Sequence, residues 1–382
     1  TWSASTILPT SGAPTSSGPA GRRGKSAVAF RALQVTLGRT AARRIEQEGW
    51  QADHFSLVVG ASGGPKWFIL SHLDRLLFGD FLQRGTRPLT TLGSSIGAWR
   101  NACFAMRDPA AAIARLEQGY LHQRYQSKPS AAEVSDTSLS TLQQVLGDDG
   151  VAQLTTNPRI STHIITARGR GPAGSTSTPV LAGGMAAAAL GNTVNRKLLR
   201  HAFQRVVFHS GQQHRPELSF HDFHTHYVPL QGNNVAPALH ASGSIPFVLT
   251  GERNIPGAPP GQYWDGGIID YHFDLDQYHG EGLILYPHFR ADLTPGWFDK
   301  FLPWRKAAIG EIDKLVLLCP SEGLVADLPQ GKIPDRRDFT RMSHDDRVAY
   351  WQTCIERNKA LAEEFAELTT GTDPLAGVTV LP

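Results

Sequence analysis

The chain has 382 residues, 41% hydrophobic and 19% charged, and its 37 lysines and arginines against 34 aspartates and glutamates leave a formal net charge of +3. That is a globular composition, and with the basic residues scattered and no RNP, C2H2 or helix-turn-helix pattern beside them, no nucleic-acid partner is expected. Cys103, Cys319 and Cys354 form no Cys-x-x-Cys pair, which excludes a disulfide framework and a thiolate zinc site, and the longest run of apolar residues and glycine, 180–191, is far short of the ~20 residues that cross a bilayer.

Residues 1–26 are dense in Ser, Thr, Pro and Gly, without apolar periodicity, and read as a disordered tail. They show neither an initiator Met nor the apolar stretch of a secretory signal, so a reducing, cytoplasmic location is expected. Residues 27–382 read as one domain. A helix is expected over 37–48 and a strand over 55–59, which runs straight into Gly60-Ala61-Ser62-Gly63-Gly64-Pro65-Lys66 and a helix over 67–77. A second strand, 89–92, leads into Gly93-Ser94-Ser95-Ile96-Gly97 and a helix from 98. Strand, glycine turn, helix, twice over, predicts an α/β fold with a mostly parallel sheet covered by helices on both faces. A helical insertion is expected around 105–210, with helices over 109–125, 137–146 and 183–208 and a strand over 162–167. Strands follow at 226–229, 262–264, 283–286 and 315–318, with a short helix over 237–241 and a long amphipathic helix over 345–368.

Three segments carry chemistry. Gly93-Ser94-Ser95-Ile96-Gly97 fits G-x-S-x-G, in which a sharp strand-to-helix turn projects the serine hydroxyl above the sheet. A plain glycine turn with a capping serine has the same composition, and the placement between strand and helix is what points to a nucleophile. In the earlier loop, Gly63 and Gly64 leave backbone N–H groups unshielded at a helix N-terminus, as an oxyanion hole or a phosphate cradle requires. The phosphate alternative is the weaker, because Pro65 and Trp67 flank Lys66 and neither the P-loop nor the G-x-G-x-x-G pattern is met. Third, Tyr263-Trp264-Asp265-Gly266-Gly267 puts a carboxylate at the end of a short strand, although alone it reads better as a plain turn, and only its combination with the other two segments points to chemistry.

In this order, the glycine loop ending in Lys66, the G-x-S-x-G turn and Asp265-Gly266-Gly267 together resemble the patatin-like phospholipases, a family of acyl hydrolases. Ala241-Ser242-Gly243-Ser244-Ile245-Pro246 is similar to the family's Ala-Ser-x-x-x-Pro stretch ahead of the aspartate. The resemblance implies a three-layer α/β fold and hydrolysis of a lipid or other carboxylic ester through an acyl-enzyme. Ser95 would be the nucleophile and Asp265 its direct base, with Gly63 and Gly64 donating to the oxyanion, Lys66 adding positive potential, and Gly93, Gly97, Gly266 and Gly267 shaping the turns. Neither cofactor nor metal is implied, contact with a membrane surface would be transient, and acyl length, head group and oligomeric state are left open. The sequence departs from the family pattern at Ser62 and Trp67, where the pattern carries glycine.

Alternatives stand beside this reading. A Ser-Asp-His triad has His272, His279, His288 or His344 to complete it, in the chain order of α/β-hydrolases. His221, Asp222, His224 and His226 are of metal-ligand type, but in a strand His224 and His226 share a face that His221 does not. Residues 297–306 mix aromatics with cations as an interfacial anchor does, in a lipid-binding protein without activity, or pack as core around Pro303.

Overall fold

The strands form where the chain offers nearly unbroken apolar runs, such as LILYP and LVLLCP, which have no polar face to turn to water. The computed structural model describes residues 31–382, apart from 127, 212–215, 277, 303 and 306–311, so the tail expected at 1–26 lies outside the described residues. The order begins β1 (Leu33–Leu37), α1 (Arg39–Glu48), β2 (Phe55–Gly60), α2 (Ser71–Gly79), β3 (Leu89–Ser94) and α3 (Ile96–Phe104). Helices α4 (Pro109–Leu121), α5 (Ala131–Leu146) and α6 (Gly150–Thr156) lead to β4 (Ile160–Gly169), α7 (Thr178–Val194), β5 (Phe203–His209) and β6 (Thr225–Pro229). Next come α8 (Val235–Gly243), β7 (Glu252–Arg253), β8 (Gln262–Asp265), β9 (Leu283–Pro287) and β10 (Leu315–Pro320). The chain closes with α9 (Glu322–Asp327), α10 (Asp338–Arg341), α11 (His344–Arg357), α12 (Lys359–Thr370) and β11 (Thr379–Val380).

Strands β10, β9, β2, β3 and β4 lie side by side and parallel, the expected mostly parallel sheet. Antiparallel β1 and β5 flank this block, and β11 and β6 form the outer edges. Helices pack around it, α3 against β2 and β3, α8 against β4 and β8, α12 against β1. One large hydrophobic cluster fills the sheet and its helices, and a second, smaller one gathers Leu181, Met185, Phe203, Trp264, Ile268 and Ile269 under α7. All three cysteines are free and buried. Among the described residues no helix is long and apolar enough to cross a membrane.

Several elements differ from the sequence reading. Leu37 ends strand β1, which that reading lacks, and the helix starts at Arg39. Residues 64–70 wind as a 3-10 turn before α2. The stretch 183–208 is not one helix: α7 ends at Val194, a 3-10 turn follows, and 203–209 pair antiparallel with β4 over seven residues, so sheet pairing overrides the alanine-rich run before it. Thus β4 and β5, inside the stretch read as an insertion, belong to the main sheet. The helix expected over 345–368 breaks at Asn358, whose buried side chain donates to the Phe68 carbonyl (2.6 Å) and accepts from the His72 N–H (3.1 Å).

Candidate active site

Strand β4 acts as a template for two strand ends that meet head on. Along the same edge of β4, parallel β3 ends with Ser94 opposite Ile165, and antiparallel β8 ends with Asp265 opposite Thr166. The next residue after β3 is Ser95, and its Oγ donates to Asp265 Oδ2 at 2.8 Å, across 170 positions of sequence. Both residues are buried.

Ser95 has φ 55° and ψ −132°, a conformation that costs a non-glycine residue about 1–3 kcal/mol and persists only where its surroundings impose it. Its N–H donates to Ser242 Oγ (2.9 Å), which in turn donates to the Ile165 carbonyl (2.6 Å), tying the turn to β4. On the other side the turn presses against the end of β2: a Cβ on Gly97 would lie 2.0 Å from the Gly60 carbonyl oxygen, so only glycine fits there.

The Asp265 carboxylate is fully engaged. Oδ1 accepts from the Gly267 N–H (2.7 Å) and Oδ2 from Ser95, while the Asp265 N–H donates to the Ser244 carbonyl (2.8 Å). Burial pushes its pKa above the ordinary carboxylate value, against the opposing pull of the Arg336 charge and of its own hydrogen bonds. A raised carboxylate is a stronger base toward a serine hydroxyl.

None of the four candidate histidines stands between Ser95 and Asp265. His272 is buried and stacked on Tyr271 (ring centroids 4.3 Å apart), with Nδ1 accepting from the Thr294 N–H (2.9 Å), and burial holds its pKa well below the usual histidine range. His288 Nδ1 accepts from the Arg290 N–H (3.1 Å), and burial pushes its pKa down to about 3. The His279 N–H bonds the Glu217 carbonyl, and His344 opens α11 beside Arg347. His221, His224 and His226 are exposed, and among the described residues no three His, Cys, Asp or Glu side chains gather to hold a metal. Asp222 is desolvated, yet Arg205 and Arg196 outweigh that and hold its pKa at about 2. Asp270 is buried against Arg205 in a two-pronged ion pair (2.6 and 2.8 Å).

The glycine loop closes the other side. Gly64, at φ +57°, lines the same cavity as Ser95, and a Cβ there would meet Arg336 Nε at 2.7 Å. Gly63 is extended (φ 177°) and backs onto the Phe289 ring. Among the described residues no protein acceptor meets the N–H of either glycine. Ser62, where the resembled pattern has glycine, binds the three segments together: its Oγ bonds Ser94 Oγ (2.7 Å), its N–H donates to the Tyr271 carbonyl (2.9 Å), and Gly267 packs on it. A Cβ on Gly266 would strike the Ile165 carbonyl at 2.2 Å, and one on Gly93 would strike Ala98 at 2.7 Å. Trp67 is core, stacked on Phe68.

Lys66 does not face the dyad. It lines a second cavity with Arg290, Asp335 and Arg337, its ammonium 5.3 Å from the centre of the Phe289 ring, and burial lowers its pKa. The cations that do line the Ser95–Asp265 cavity are Arg336 and Lys300, neither of which sequence reasoning assigned to the site. Lys300 is exposed as a residue, and its ammonium sits 3.5 Å from the centre of the Tyr271 ring. Desolvation of that ammonium, with the nearby Arg336 and Lys66 charges, pushes its pKa down to about 7. The available signals were indirect: Arg336 lies in the Lys332-Ile333-Pro334-Asp335-Arg336-Arg337 run, and Lys300 in the aromatic and cationic run at 297–306.

Beside Ser95 opens a cavity of about 320 Å³, walled mainly by Ile96, Trp99, Tyr120, Leu249 and Phe339. Its lining is mainly apolar, with Ser95, Gln123, Ser138, Thr340 and Arg336 as polar residues in the wall, the layout of a site that takes an apolar chain beside a few polar groups.

No protein-family model matches the chain, and no curated protein matches it in sequence. Among solved structures it is similar to human GIVD cytosolic phospholipase A2, at 10% identity over 86% of this chain and 62% of that one, with a TM-score of 0.38. It is also similar to the ExoU–SpcU heterodimer of the Pseudomonas aeruginosa type III secretion system (13% identity, 89% of this chain, 54% of that one, TM-score 0.33). A third is VipD from Legionella pneumophila (12% identity, 92% of this chain, 75% of that one, TM-score 0.30). The chain spans less than two thirds of the first two.

Proposed function

We propose that the chain is a serine ester hydrolase of patatin-like type, acting on lipid or other acyl esters through Ser95 and Asp265. The observation that carries this reading is the direct 2.8 Å hydrogen bond from Ser95 Oγ to Asp265 Oδ2, made from a strained turn at the edge of an apolar cavity. Asp265 takes the Ser95 proton as Oγ attacks the ester carbonyl carbon, and the carbonyl electron pair moves onto oxygen. That oxyanion is received by backbone N–H groups of the glycine loop, Gly64 lining the cavity and Gly63 beside it, with the Arg336 charge in the cavity wall. Preorganised donors of this kind are worth about 3–4 kcal/mol each in the transition state. Collapse breaks the ester C–O bond, the departing alkoxide takes the proton from Asp265, and the acyl group stays on Ser95. Water then gives a proton to Asp265 and attacks the acyl carbon, releasing the acid and returning the proton to Ser95. The reading needs neither cofactor nor metal.

The cavity also bears on the acyl group. At ~30 Å³ per water-sized group, 320 Å³ holds roughly ten methylenes, which favours acyl chains of medium length. The test is a panel of p-nitrophenyl esters of graded acyl length, together with labelling by a fluorophosphonate. The reading expects turnover to peak at medium length and both turnover and labelling to vanish in Ser95→Ala; undiminished turnover in that variant overturns it.

A further inference from the structure

Helix α7 departs from the rule for a surface helix. Its inner face, Leu181, Met185 and Ala188, packs into the second hydrophobic cluster beside Ile268 and Ile269, which follow the Asp265 turn. A helix buried on one face ordinarily turns charge to water on the other. Residues 178–194 contain no Asp, Glu, Lys or Arg, and Leu190 and Val194 are 69% and 78% exposed. Residues 297–302, 304 and 305 are tied to this helix: Asn192 Nδ2 donates to Asp299 Oδ1 (2.8 Å), and Arg305 Nη1 donates to the Asn192 carbonyl (2.6 Å). On that segment Phe301 and Trp304 are 78% and 73% exposed. Four large apolar side chains bare to water on two bonded segments mark an interaction surface rather than the scattered apolar exposure of any protein.

The charge around it says what covers it. From residue 150 to 216 the chain has no Asp or Glu at all, against eight Lys and Arg. Of these, Arg170, Lys197 and Arg200 are exposed and join no ion pair among the described residues, and Arg170 Nη1 donates to the Arg200 carbonyl (3.3 Å), so two of the three sit together. A second copy docked on this face would bring like charges together, whereas an anionic lipid surface offers both the acyl layer and the phosphates. We propose that α7 and residues 297–302 and 304 form a docking face for an anionic bilayer, with Leu190, Val194, Phe301 and Trp304 entering the headgroup layer and Lys197 and Arg200 on its phosphates. Trp297 and Lys300, on the same segment, line the Ser95–Asp265 cavity, so docking brings the lipid surface beside that cavity. Docking itself does not depend on hydrolysis.

Sedimentation of the full chain with vesicles tests this, using phosphatidylcholine alone or mixed with phosphatidylglycerol. Wild type and Ser95→Ala are expected to pellet equally with mixed vesicles and about tenfold less with phosphatidylcholine alone or at high salt. Leu190→Ser/Trp304→Ser and Lys197→Glu/Arg200→Glu are each expected to lose about tenfold or more of the binding to mixed vesicles, with unchanged near-ultraviolet circular dichroism. Wild type remaining in the supernatant overturns the proposal, as do variants that pellet like wild type. So does a dimer in analytical ultracentrifugation that Leu190→Ser dissolves, which would make a second copy the occupant. Ester turnover is read separately, so a failed docking experiment leaves the hydrolase reading standing, and the reverse holds too.

Discussion

Two helices without a clear polar face, α3 and α7, meet opposite fates. All nine residues of α3 are buried, Arg100 among them, and its guanidinium makes a two-pronged ion pair (2.6 and 2.7 Å) with Asp74, which is also fully buried. α7 carries no charge, yet only its inner face is covered. Polarity pattern alone therefore does not say whether an apolar helix is core or surface. The neighbours decide: α3 starts at the residue after Ser95 and is clamped by β2 and β3, while α7 lies over a small satellite cluster.

If α3 is the anchor of the reactive serine and the outer face of α7 has nothing packed on it, substitutions should separate cleanly. The largest effect is expected at the serine itself: Ser95→Ala should lower turnover of a p-nitrophenyl ester by ~10⁴-fold or more with the far-ultraviolet circular dichroism retained. Asp265→Asn should follow closely, and a variant of either that keeps most of its turnover would detach α3 from catalysis. Arg100→Met, which strands the buried Asp74 carboxylate, should cost about 3–5 kcal/mol in urea unfolding. A smaller change concerns pH. Asp265 acts as a base only when ionised, and burial raises its pKa, so the acid limb of kcat/KM should lie above the ordinary carboxylate value. The Arg336 charge pulls that pKa down, so Arg336→Gln should move the limb to higher pH, and a limb that stays put would mean Asp265 is not the group being titrated. The smallest effect belongs to α7: Leu190→Ser should change unfolding stability by no more than ~0.5 kcal/mol, and a loss as large as that of Arg100→Met would show the outer face to be packed after all.

How far the sequence could be read depended on whether the cause was local. The strand-to-helix turns at 60–64 and 93–97 were legible because their glycines answer a steric demand within a few residues. β5 was not, because Phe203–His209 becomes a strand by pairing with β4, and nothing in the alanine-rich run before it announces that partner. Asn358 was missed as a break for the same reason, since what stops the helix there is a pair of bonds to the 68–72 segment. Lys66 looked like the site's cation from its place in the glycine loop, but the 3-10 turn at 64–70 carries it into the neighbouring cavity, and Arg336 and Lys300 arrive instead from remote segments.

By itself the sequence determined the α/β alternation, the glycine turns and a serine at a strand-helix junction, because hydrophobic period and backbone sterics act over short spans of chain. Residue periodicity and sterics did not say which carboxylate that serine meets; the family resemblance named Asp265, and the tertiary structure supplies the contact. Ser95 and Asp265 are neighbours because β3 and β8 end on adjacent residues of β4, Ile165 and Thr166, and a shift of one residue in either register would turn the side chains to the opposite face.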